Sequence, residues 1–596
     1  PNSISFALGT EIFSHQDFDL PYAELLGLRT YSSYLSQLDD GIFGARWITP
    51  LNKSMQLIQG EWVYLQADGR SIKFPDVPVG HSYLHPIEDL ELQRIAEDVI
   101  LIKYLDRTEE IYKKQGDVFA LQLMHSIDGQ KYEFYYDHIH QGKAYLSDVI
   151  VKSGDEKIYH LVFELGRNLK VQEIWLKQDE EKTRKLAEYQ YDRHGDLIKA
   201  TTENNARYQY QYDHHLITRY TDLTDRGINL RWDGQTADAK AIHEWTDANS
   251  DEIKFEWSEN IRATSVFDGT GEETVYYYTE NGYTYRTIYP DGTEEWWIRD
   301  AQERIQQHIQ SNGSSVNYEY DNKGNLLKLI NEEDVALYYG YDEDNNLTHY
   351  RDGEGHIWRR EYDDQGNLTK EIDPLERSTK YQYNSMSLPV SIQDAKGGIK
   401  QLSYNKQGQL TKYTDCSGKA TTWQYDERGR LKQTANALNE VTEYFYTELD
   451  QQAPSNTTDT NRNSKQHNAV GQLERIKHAD GTEEHFIHDA EGRLLVHIDP
   501  KGQRTKYDYD LAGRISKRID AAHQTLKYHW DKLGRLSKLS NENGASYHFQ
   551  YDVMGRLLKE TDFDGKETIY HYSETSGELQ RSVELAKATN QPSPIH

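Results

Sequence analysis

The stretch YDERGRL, from Tyr425 to Leu431, is written almost unchanged at several other places in this 596-residue chain. YDLAGRI begins at Tyr509, WDKLGRL at Trp530 and YDVMGRL at Tyr551. These starting points differ by 21 residues or by a multiple of 21. A heptad that returns at a fixed interval predicts one structural unit that is repeated along the chain.

The interval is kept where the heptad itself is imperfect. At Tyr446 the motif fails, yet the phase returns 21 residues later. Imperfect copies in this phase begin at Trp257, Tyr278, Arg299, Tyr320, Tyr341, Tyr362, Tyr383, Tyr404, His467 and His488. A phase that survives poor copies indicates a structural repeat and not a chance similarity.

Each unit has the chemistry of two turns and two short strands. The Asp-x-x-Gly pattern is typical of turns, because Asp caps the local backbone and Gly accepts a positive φ. A second turn lies midway through the unit, as in DPLERS after Ile372. In the strand before one heptad, Tyr381 and Tyr383 share a face while Lys380 and Gln382 share the other. Each repeat is therefore predicted to be one β-hairpin, with strands of about six residues.

A single hairpin of this kind cannot bury its own aromatic face and must stack on its neighbours. Stacking many hairpins makes one long antiparallel sheet, and the twist of the strands forces such a sheet to curl. We predict an all-β fold, an antiparallel β-hairpin array of 21-residue repeats that forms a one-layer sheet wound into a shell.

The regularity of the repeat divides the chain into four predicted parts. Residues 1–50 form an opening segment, and residues 51–256 form irregular hairpins of the same wall, such as Trp62 to Phe74. Residues 257–573 carry the regular repeats. Residues 574–596 are predicted to form a short helix followed by a Pro-containing tail.

Composition narrows the classes of function. The formal net charge of -30 repels phosphate backbones and argues against nucleic-acid binding. The one cysteine, Cys416, excludes internal disulfides and thiolate metal clusters and is expected to be an exposed, inert thiol in its turn. The most apolar run, Val99 to Leu105, is too short to span a membrane, and no signal peptide opens the chain. Its start at Pro1 is expected to mark a processed product or a cloning boundary.

The heptads at this interval resemble the YD repeats of the Rhs proteins, which also occur in insecticidal toxin complex proteins and in teneurins. The opening, ALGTEIFSHQDFDLP from Ala7 to Pro21, resembles the segment that precedes the repeats in bacterial Rhs effectors. The resemblance implies a hollow β-sheet cocoon that encloses a C-terminal toxin. It also implies assembly in the bacterial cytoplasm and secretion into competing cells on a type VI spike.

The partners implied are the remaining Rhs shell, the toxin polypeptide and the type VI spike protein. The chain departs from the Rhs pattern at its end, where an Asp-Pro-x-Gly-Leu segment normally supports self-cleavage. Its two Asp-Pro pairs, Asp373-Pro374 and Asp499-Pro500, are predicted to be mid-unit turns inside repeats. We therefore expect this chain to be the N-terminal and central part of the shell, without the toxin.

No catalytic, cofactor-binding or metal-binding residue is predicted. His138 with His140, and His214 with His215, are spaced like metal ligands but lack further ligand motifs, and His243 lacks the second histidine of a metalloprotease helix. Acidic turns such as that at Asp562 lack the later Glu of an EF-hand. The arginines at the sixth heptad position are expected to pair with the adjacent acidic turns. They are Arg430, Arg493, Arg514, Arg535 and Arg556.

Two other functions remain open at this point. A cell-surface or wall-associated YD-repeat protein would bind carbohydrate or other surfaces and would require a secretion signal. A self-processing protease would carry its catalytic acids on the shell wall, at positions that the sequence does not identify.

Overall fold

A computed structural model describes residues 3–249, 251–446, 452–453, 464–467, 472–478, 480–489, 492–572 and 578–585. Within these ranges the fold is almost entirely antiparallel β-structure, as predicted. The opening segment forms a small sheet of its own with two 3₁₀ turns, Glu24–Gly27 and Ser36–Leu38. Its strands are β1 (Ile12–Gln16), β2 (Leu28–Ser32) and β3 (Trp47–Ile48).

The strands of the irregular region vary in length from 3 to 11 residues, and one 3₁₀ turn, Glu259–Ile261, precedes the last of them. They are β4 (Ser54–Ile58), β5 (Glu61–Leu65), β6 (Ser71–Pro75), β7 (Ser82–Leu84), β8 (Leu90–Ala96), β9 (Val99–Tyr104), β10 (Glu109–Gln115), β11 (Val118–His125), β12 (Gln130–Tyr135), β13 (His138–His140), β14 (Lys143–Tyr145), β15 (Asp148–Ser153), β16 (Glu156–Leu165), β17 (Val171–Gln178), β18 (Glu181–Tyr191), β19 (Leu197–Thr202), β20 (Arg207–Asp213), β21 (Leu216–Thr221), β22 (Gly227–Trp232), β23 (Ala241–Thr246), β24 (Ile253–Ser258) and β25 (Ala263–Phe267).

In the regular region, strands of six and five residues alternate from β26 to β41 and from β46 to β55. The first series is β26 (Glu273–Tyr278), β27 (Thr284–Ile288), β28 (Glu294–Arg299), β29 (Ile305–Ile309), β30 (Ser315–Tyr320), β31 (Leu326–Ile330), β32 (Ala336–Tyr341), β33 (Leu347–Arg351), β34 (Ile357–Tyr362), β35 (Leu368–Ile372), β36 (Ser378–Tyr383), β37 (Pro389–Gln393), β38 (Ile399–Tyr404), β39 (Leu410–Thr414), β40 (Ala420–Tyr425), β41 (Leu431–Ala435) and β42 (Val441–Glu443). The second series is β43 (Phe445–Tyr446), β44 (Gln452–Ala453), β45 (Ser464–His467), β46 (Leu473–Lys477), β47 (Glu483–His488), β48 (Leu494–Ile498), β49 (Arg504–Tyr509), β50 (Ile515–Ile519), β51 (Thr525–Trp530), β52 (Leu536–Ser540), β53 (Ser546–Tyr551), β54 (Leu557–Thr561), β55 (Glu567–Tyr572) and β56 (Leu579–Leu585).

Among the described residues, each strand from β26 to β42 pairs antiparallel with the next, β43 pairs with β44, and each strand from β45 to β56 pairs antiparallel with the next. A β-bulge recurs at the first residue of the heptad, for example between Gln424 and Tyr425 and again between Gln550 and Tyr551. Bulges increase the local twist of a strand pair. A bulge in every repeat therefore adds to the curl of the sheet.

The sheet winds back on itself, so that turns far apart in sequence meet. Arg184 Nη1 donates to the carbonyl of Glu427, 243 residues later, at 3.0 Å, and Ser387 Oγ lies 3.4 Å from the carbonyl of Asp128, 259 residues earlier. Arg107 lies 3.4 Å from Asp344 in the same way. We call this line of contacts between the turns of successive coils the seam. It closes a one-layer sheet into a wound wall.

Burial differs sharply along the chain. The opening segment packs on the irregular strands and buries Tyr31, Phe43 and Trp47 completely. Among the described residues beyond Val316, no hydrophobic side chain is buried. Among the described residues, buried hydrophobic side chains therefore lie in the opening segment and in the strands up to β30.

The helix predicted for residues 574–596 is wrong where the structure describes that region. Leu579–Leu585 forms strand β56, which pairs with β55. Val583 and Leu585 stand two residues apart, with Glu584 between them, which is the period of a strand, and pairing satisfies the open edge of β55. Residues 574–577 and 586–596 lie outside the described residues.

Candidate functional site: the repeat lock and the aromatic face

The Asp of each heptad builds its own turn. Asp426 Oδ1 accepts hydrogen bonds from the backbone N–H groups of Arg428 and Arg430, at 3.0 and 2.9 Å. Its Oδ2 accepts from Arg430 Nε at 2.8 Å. Gly429 takes a φ of 80°, which glycine adopts without the strain of a side chain. The Asp, Gly and Arg of the heptad are thus explained by one turn.

The aromatic residue that opens each heptad locks its repeat to the one before. The Tyr425 hydroxyl donates to the carbonyl of Leu410 at 2.7 Å, and Trp530 Nε1 donates to the carbonyl of Ile515 at 2.8 Å. The same bond, always across 15 residues, is made by Tyr320, Tyr341, Tyr362, Tyr383, Tyr404, Tyr446, Tyr509, Tyr551 and Tyr572. A phenylalanine has no donor for this bond, which explains why these heptads open with Tyr or Trp.

The arginine of the heptad connects each repeat to the one after it. Arg535 binds Asp531 of its own turn at 2.7 Å, and its guanidinium carbon lies 4.9 Å from the ring of Tyr551. This placement is a cation–π contact. The predicted pairing of the arginines with acidic turns is found at Arg430, Arg493, Arg514, Arg535 and Arg556. Their contact with the next aromatic ring was not predicted, because it depends on the strand register.

The other residues considered as ligands occupy ordinary structural positions. His138 lies 2.9 Å from the carbonyl of Phe163, and His215 lies 2.7 Å from Asp196. His243 lies 2.6 Å from Glu252. Cys416 is exposed. No group of three or more metal-ligating side chains occurs in the part of the chain that the structure describes.

The remaining candidate turns are held by their own carboxylates. Asp562 Oδ1 accepts from the backbone N–H groups of Asp564 and Lys566, at 3.0 and 2.8 Å. The first predicted mid-unit turn has the same bonds, with Asp373 accepting from Leu375 and Arg377. Asp499 makes them as well.

One face of the sheet is rich in aromatic side chains over a long distance. Residues two apart in a strand, and residues paired across strands, share a face. Tyr220 pairs with Ile228, and Tyr276 pairs with Thr287 farther along. The face continues through Trp297 and His308, Tyr318 and Leu329, Leu337 and Tyr339, Tyr350, and Trp358. We call this side of the sheet the aromatic face.

The opening segment covers the first part of the aromatic face by stacking rings on its tyrosines. Phe6 stacks on Tyr276 at 4.2 Å between ring centroids, with 13° between the planes. Two residues of β1 do the same, since Phe13 stacks on Tyr220 and His15 on Tyr208, each at 3.9 Å. An extended segment thus binds the face through rings at alternate positions.

A buried ion pair anchors the opening segment beneath these stacks. Arg29 donates from Nε and Nη2 to the two oxygens of Asp17, each at 2.8 Å. Asp17 also accepts from the Tyr189 hydroxyl at 2.6 Å, and the Arg29 guanidinium lies 4.1 Å from the ring of Trp47. Burial opposes the charge on Arg29, but Asp17 raises its pKa above the ordinary value. A pair of this kind fixes one arrangement, because either partner alone would be a buried charge.

Two carboxyl groups, Glu11 and Glu244, are buried close to each other where β1 meets the wall. Burial raises the pKa of Glu244 to about 7. Burial and the charge of Glu244 raise the pKa of Glu11 well above its ordinary value. One oxygen of each carboxyl, Oε2 in both, has no hydrogen-bond partner among the described residues. Near neutral pH Glu244 is therefore partly protonated, whereas an exposed glutamate would have lost its proton.

Comparisons with known proteins agree with this architecture. The family model "RHS Repeat" matches residues 341–375, 362–399, 404–441, 488–525 and 530–567. The model "Domain of unknown function (DUF6531)" matches residues 1–74. No curated protein matches the chain.

Solved structures share the fold at low sequence identity. The crystal structure of TcdB2-TccC3 is 12% identical, with a TM-score of 0.51 over 94% of this chain and 40% of that one. The crystal structure of TcdB2-TccC3-Cdc42 is 11% identical, with a TM-score of 0.50 over 87% of this chain and 42% of that one. The chain spans about two fifths of the length of these structures.

The fold defines a protein of repeated β-hairpins wound into a shell. The chain carries RHS repeats at the five matched ranges between residues 341 and 567. The only helices among the described residues are three short 3₁₀ turns, so none of them is long enough to cross a membrane.

Proposed function

We propose that this chain is the shell region of an Rhs effector, a cage that encloses a C-terminal toxin and helps to deliver it into competing cells. In this proposal the chain is not itself catalytic. Its partners are the rest of the shell, the toxin polypeptide and a type VI spike. It assembles in the bacterial cytoplasm and is secreted. The delivery route rests on the family resemblance.

The observation that carries the proposal is the partial covering of the aromatic face. The opening segment occupies this face as far as Tyr276, and no other described segment stacks on the rings of Tyr339, Tyr350 and Trp358 beyond it. A ring with a polar edge accepts many partners, since it offers both stacking and hydrogen bonding. A wall of such rings suits a guest polypeptide that has no single fixed shape.

The wound architecture supports the same proposal. Hydrogen bonds and ion pairs join successive coils at Arg184 with Glu427, at Arg107 with Asp344 and at Glu203 with Arg428. A guest enclosed by such a wall is separated from solvent without being bound to one site. The likeness to the TcdB2-TccC3 fold is consistent with a shell.

Protease protection tests the proposal on the natural full-length protein. The intact particle would be treated with trypsin before and after denaturation in guanidinium, and the peptides compared by mass spectrometry. We expect the segment that follows the shell to survive digestion only in the native particle. If that segment is digested equally in both states, the proposed encapsulation is wrong.

A substitution at the seam and one at an exposed ion pair can be compared for their effect on the protection of the guest. Glu203→Gln removes the carboxylate that Arg184 and Arg428 share across the seam. Asp68→Asn removes a carboxylate from a pair with Arg70 in which both side chains are exposed. We expect the first variant to shorten the protection of the guest and the second to leave it unchanged.

A further inference from the structure

The aromatic face contains a second ring cluster, beyond the part that the opening segment covers. Tyr208 and Tyr220, which lie under β1, are only 8% and 7% exposed, whereas Trp358 is 37% exposed. Tyr339 pairs with Tyr350 across β32 and β33, and Tyr350 pairs with Trp358 across β33 and β34. Three rings therefore stand side by side on three neighbouring strands, with Trp358 exposed and Tyr339 and Tyr350 half-buried.

These rings line a concave surface. The cavity between them has a volume of about 520 Å³ and is bordered on one side by Arg360 and Glu371. The ring centroids of Tyr339 and Tyr350 are 5.3 Å apart and inclined at 39°.

The charged pair at the border does not favour a charged ligand. Arg360 Nε lies 3.0 Å from Glu371 Oε2, so the two charges compensate each other. Recognition in this cavity must then come mainly from contact with the rings.

The opening segment shows which kind of ligand this face accepts. Phe13 and His15, two apart in one extended strand, stack on Tyr220 and Tyr208 with their planes within 9° and 11° of parallel. The wall residues that receive them belong to the same continuous face as Tyr339, Tyr350 and Trp358. Beyond Tyr276 the face presents the same ring type, at strand spacing, and none of the described segments stacks on these rings.

We propose that Tyr339, Tyr350 and Trp358 form a subsite for a planar side chain of an extended polypeptide, bound by ring stacking as Phe13 and His15 are. This inference deepens the proposed function and rests on it, because the polypeptide is the enclosed guest. The guest residue is Phe, Tyr, His or Trp, placed at alternate positions in a strand-like segment. The subsite holds the guest against the wall without reading a longer sequence.

A peptide copied from β1 is the probe. Acetyl-IFSHQ-amide would be titrated into the 596-residue chain labelled with 5-fluorotryptophan, and the fluorine resonance of Trp358 followed by NMR. The Trp358 signal is identified by its loss in Trp358→Phe. We expect the peptide to shift this signal, and acetyl-IASAQ-amide, which lacks both rings, to leave it unshifted.

Two substitutions in the paired strands β32 and β33 test whether the peptide binds the aromatic face or the opposite face of the sheet. Tyr350→Ala removes a ring of the subsite, and Tyr338→Ala removes an exposed ring that neighbours Tyr339 but points to the opposite face. We expect Tyr350→Ala to weaken peptide binding about fivefold, the contribution of one stacked ring. Tyr338→Ala should leave binding unchanged.

The inference is overturned if the peptide causes no shift, if both substitutions weaken binding equally, or if maltohexaose shifts Trp358 in place of the peptide. The last result would assign the rings to carbohydrate. Protease protection of the guest remains a separate readout. If the guest stays protected while the peptide fails to bind, the subsite is wrong and the shell proposal stands.

Discussion

The hydroxyl of Tyr425 donates a hydrogen bond to the carbonyl of Leu410, 15 residues earlier, at 2.7 Å. The bond joins the opening residue of one heptad to the first strand residue of the repeat before it. Because the bond recurs along the sheet, it sets the spacing between hairpins and explains why the motif begins with Tyr or Trp.

Removing this hydroxyl should loosen one repeat locally. We expect Tyr425→Phe to lower the local opening free energy by about 1 kcal/mol, the usual net value of one hydrogen bond. Hydrogen exchange of peptides covering residues 405–415 would measure the change. Tyr381→Phe is the control, since Tyr381 is half-buried on the aromatic face and the structure shows no hydrogen bond from its hydroxyl. Equal effects in the two variants would show that the hydrogen bond from Tyr425 to the Leu410 carbonyl does not stabilise the repeat.

Gly429 has a second role, because the opening segment approaches it. A Cβ at this position would lie 2.5 Å from Pro21 Cγ, in addition to the strain at its φ of 80°. Gly418 has a φ of 85° and nothing within 4 Å of such a Cβ. Both Ala variants should lose about 1 kcal/mol from backbone strain, but only Gly429→Ala should also expose the Pro21 region to proteases. Identical proteolysis patterns would show that the contact with Pro21 is unimportant.

Charge neutralisation at the seam should be more costly than on the open surface. Glu203 accepts from Arg184 at 2.7 and 2.9 Å and lies 3.4 Å from Arg428. Its side chain is 14% exposed, against 54% for Asp68. We expect Glu203→Gln to weaken the seam by about 1–3 kcal/mol and Asp68→Asn to cost about 0–1 kcal/mol. Hydrogen exchange at residues 426–430 would measure the difference, and an unchanged rate in Glu203→Gln would contradict this role.

The buried carboxyl pair predicts a pH dependence with a definite sign. Since burial raises the folded pKa of Glu244 to about 7, the folded state binds more protons than the unfolded state above the ordinary pKa of 4.5. Its contribution is complete below pH 4.5 and is lost as the pH rises through about 7. The thermal midpoint of the chain should therefore fall between about pH 5 and pH 8.

Glu244→Gln should reduce that fall, because glutamine stays neutral across this range. Glu256→Gln is the control, since Glu256 is exposed on β24. If the two variants show the same pH dependence as the unsubstituted chain, the proton held by Glu244 does not stabilise the fold.

Local features of the fold could be predicted from sequence, and long-range ones could not. The turn at Asp426 and Gly429 and the alternation of Tyr381 and Tyr383 are short-range consequences of residue chemistry, and the structure has them as predicted. The contact of Arg184 with Glu427 depends on twist accumulated over 243 residues, which no local pattern encodes.

The candidate site shows the same limit. The pairing of the heptad arginines with acidic turns could be predicted from the repeat. The contact of each arginine with the aromatic ring of the next repeat, as Arg535 makes with Tyr551, depends on the strand register and could not. The pairing of Asp17 with Arg29 and the stacking of Phe13 on Tyr220 depend on where the opening segment lies. A helix was predicted wrongly for Leu579–Leu585, because this segment forms a strand by pairing with the open edge of β55, which lies outside its local sequence.

The central claim is that this chain is one wall of a cage around a separate polypeptide. Mass spectrometry of the natural protein, purified natively and measured under native and then denaturing conditions, tests it most directly. We predict a native particle that is heavier than the 69.6 kDa chain and that separates on denaturation into this chain and further polypeptides. A single species of unchanged mass in both measurements would contradict the claim.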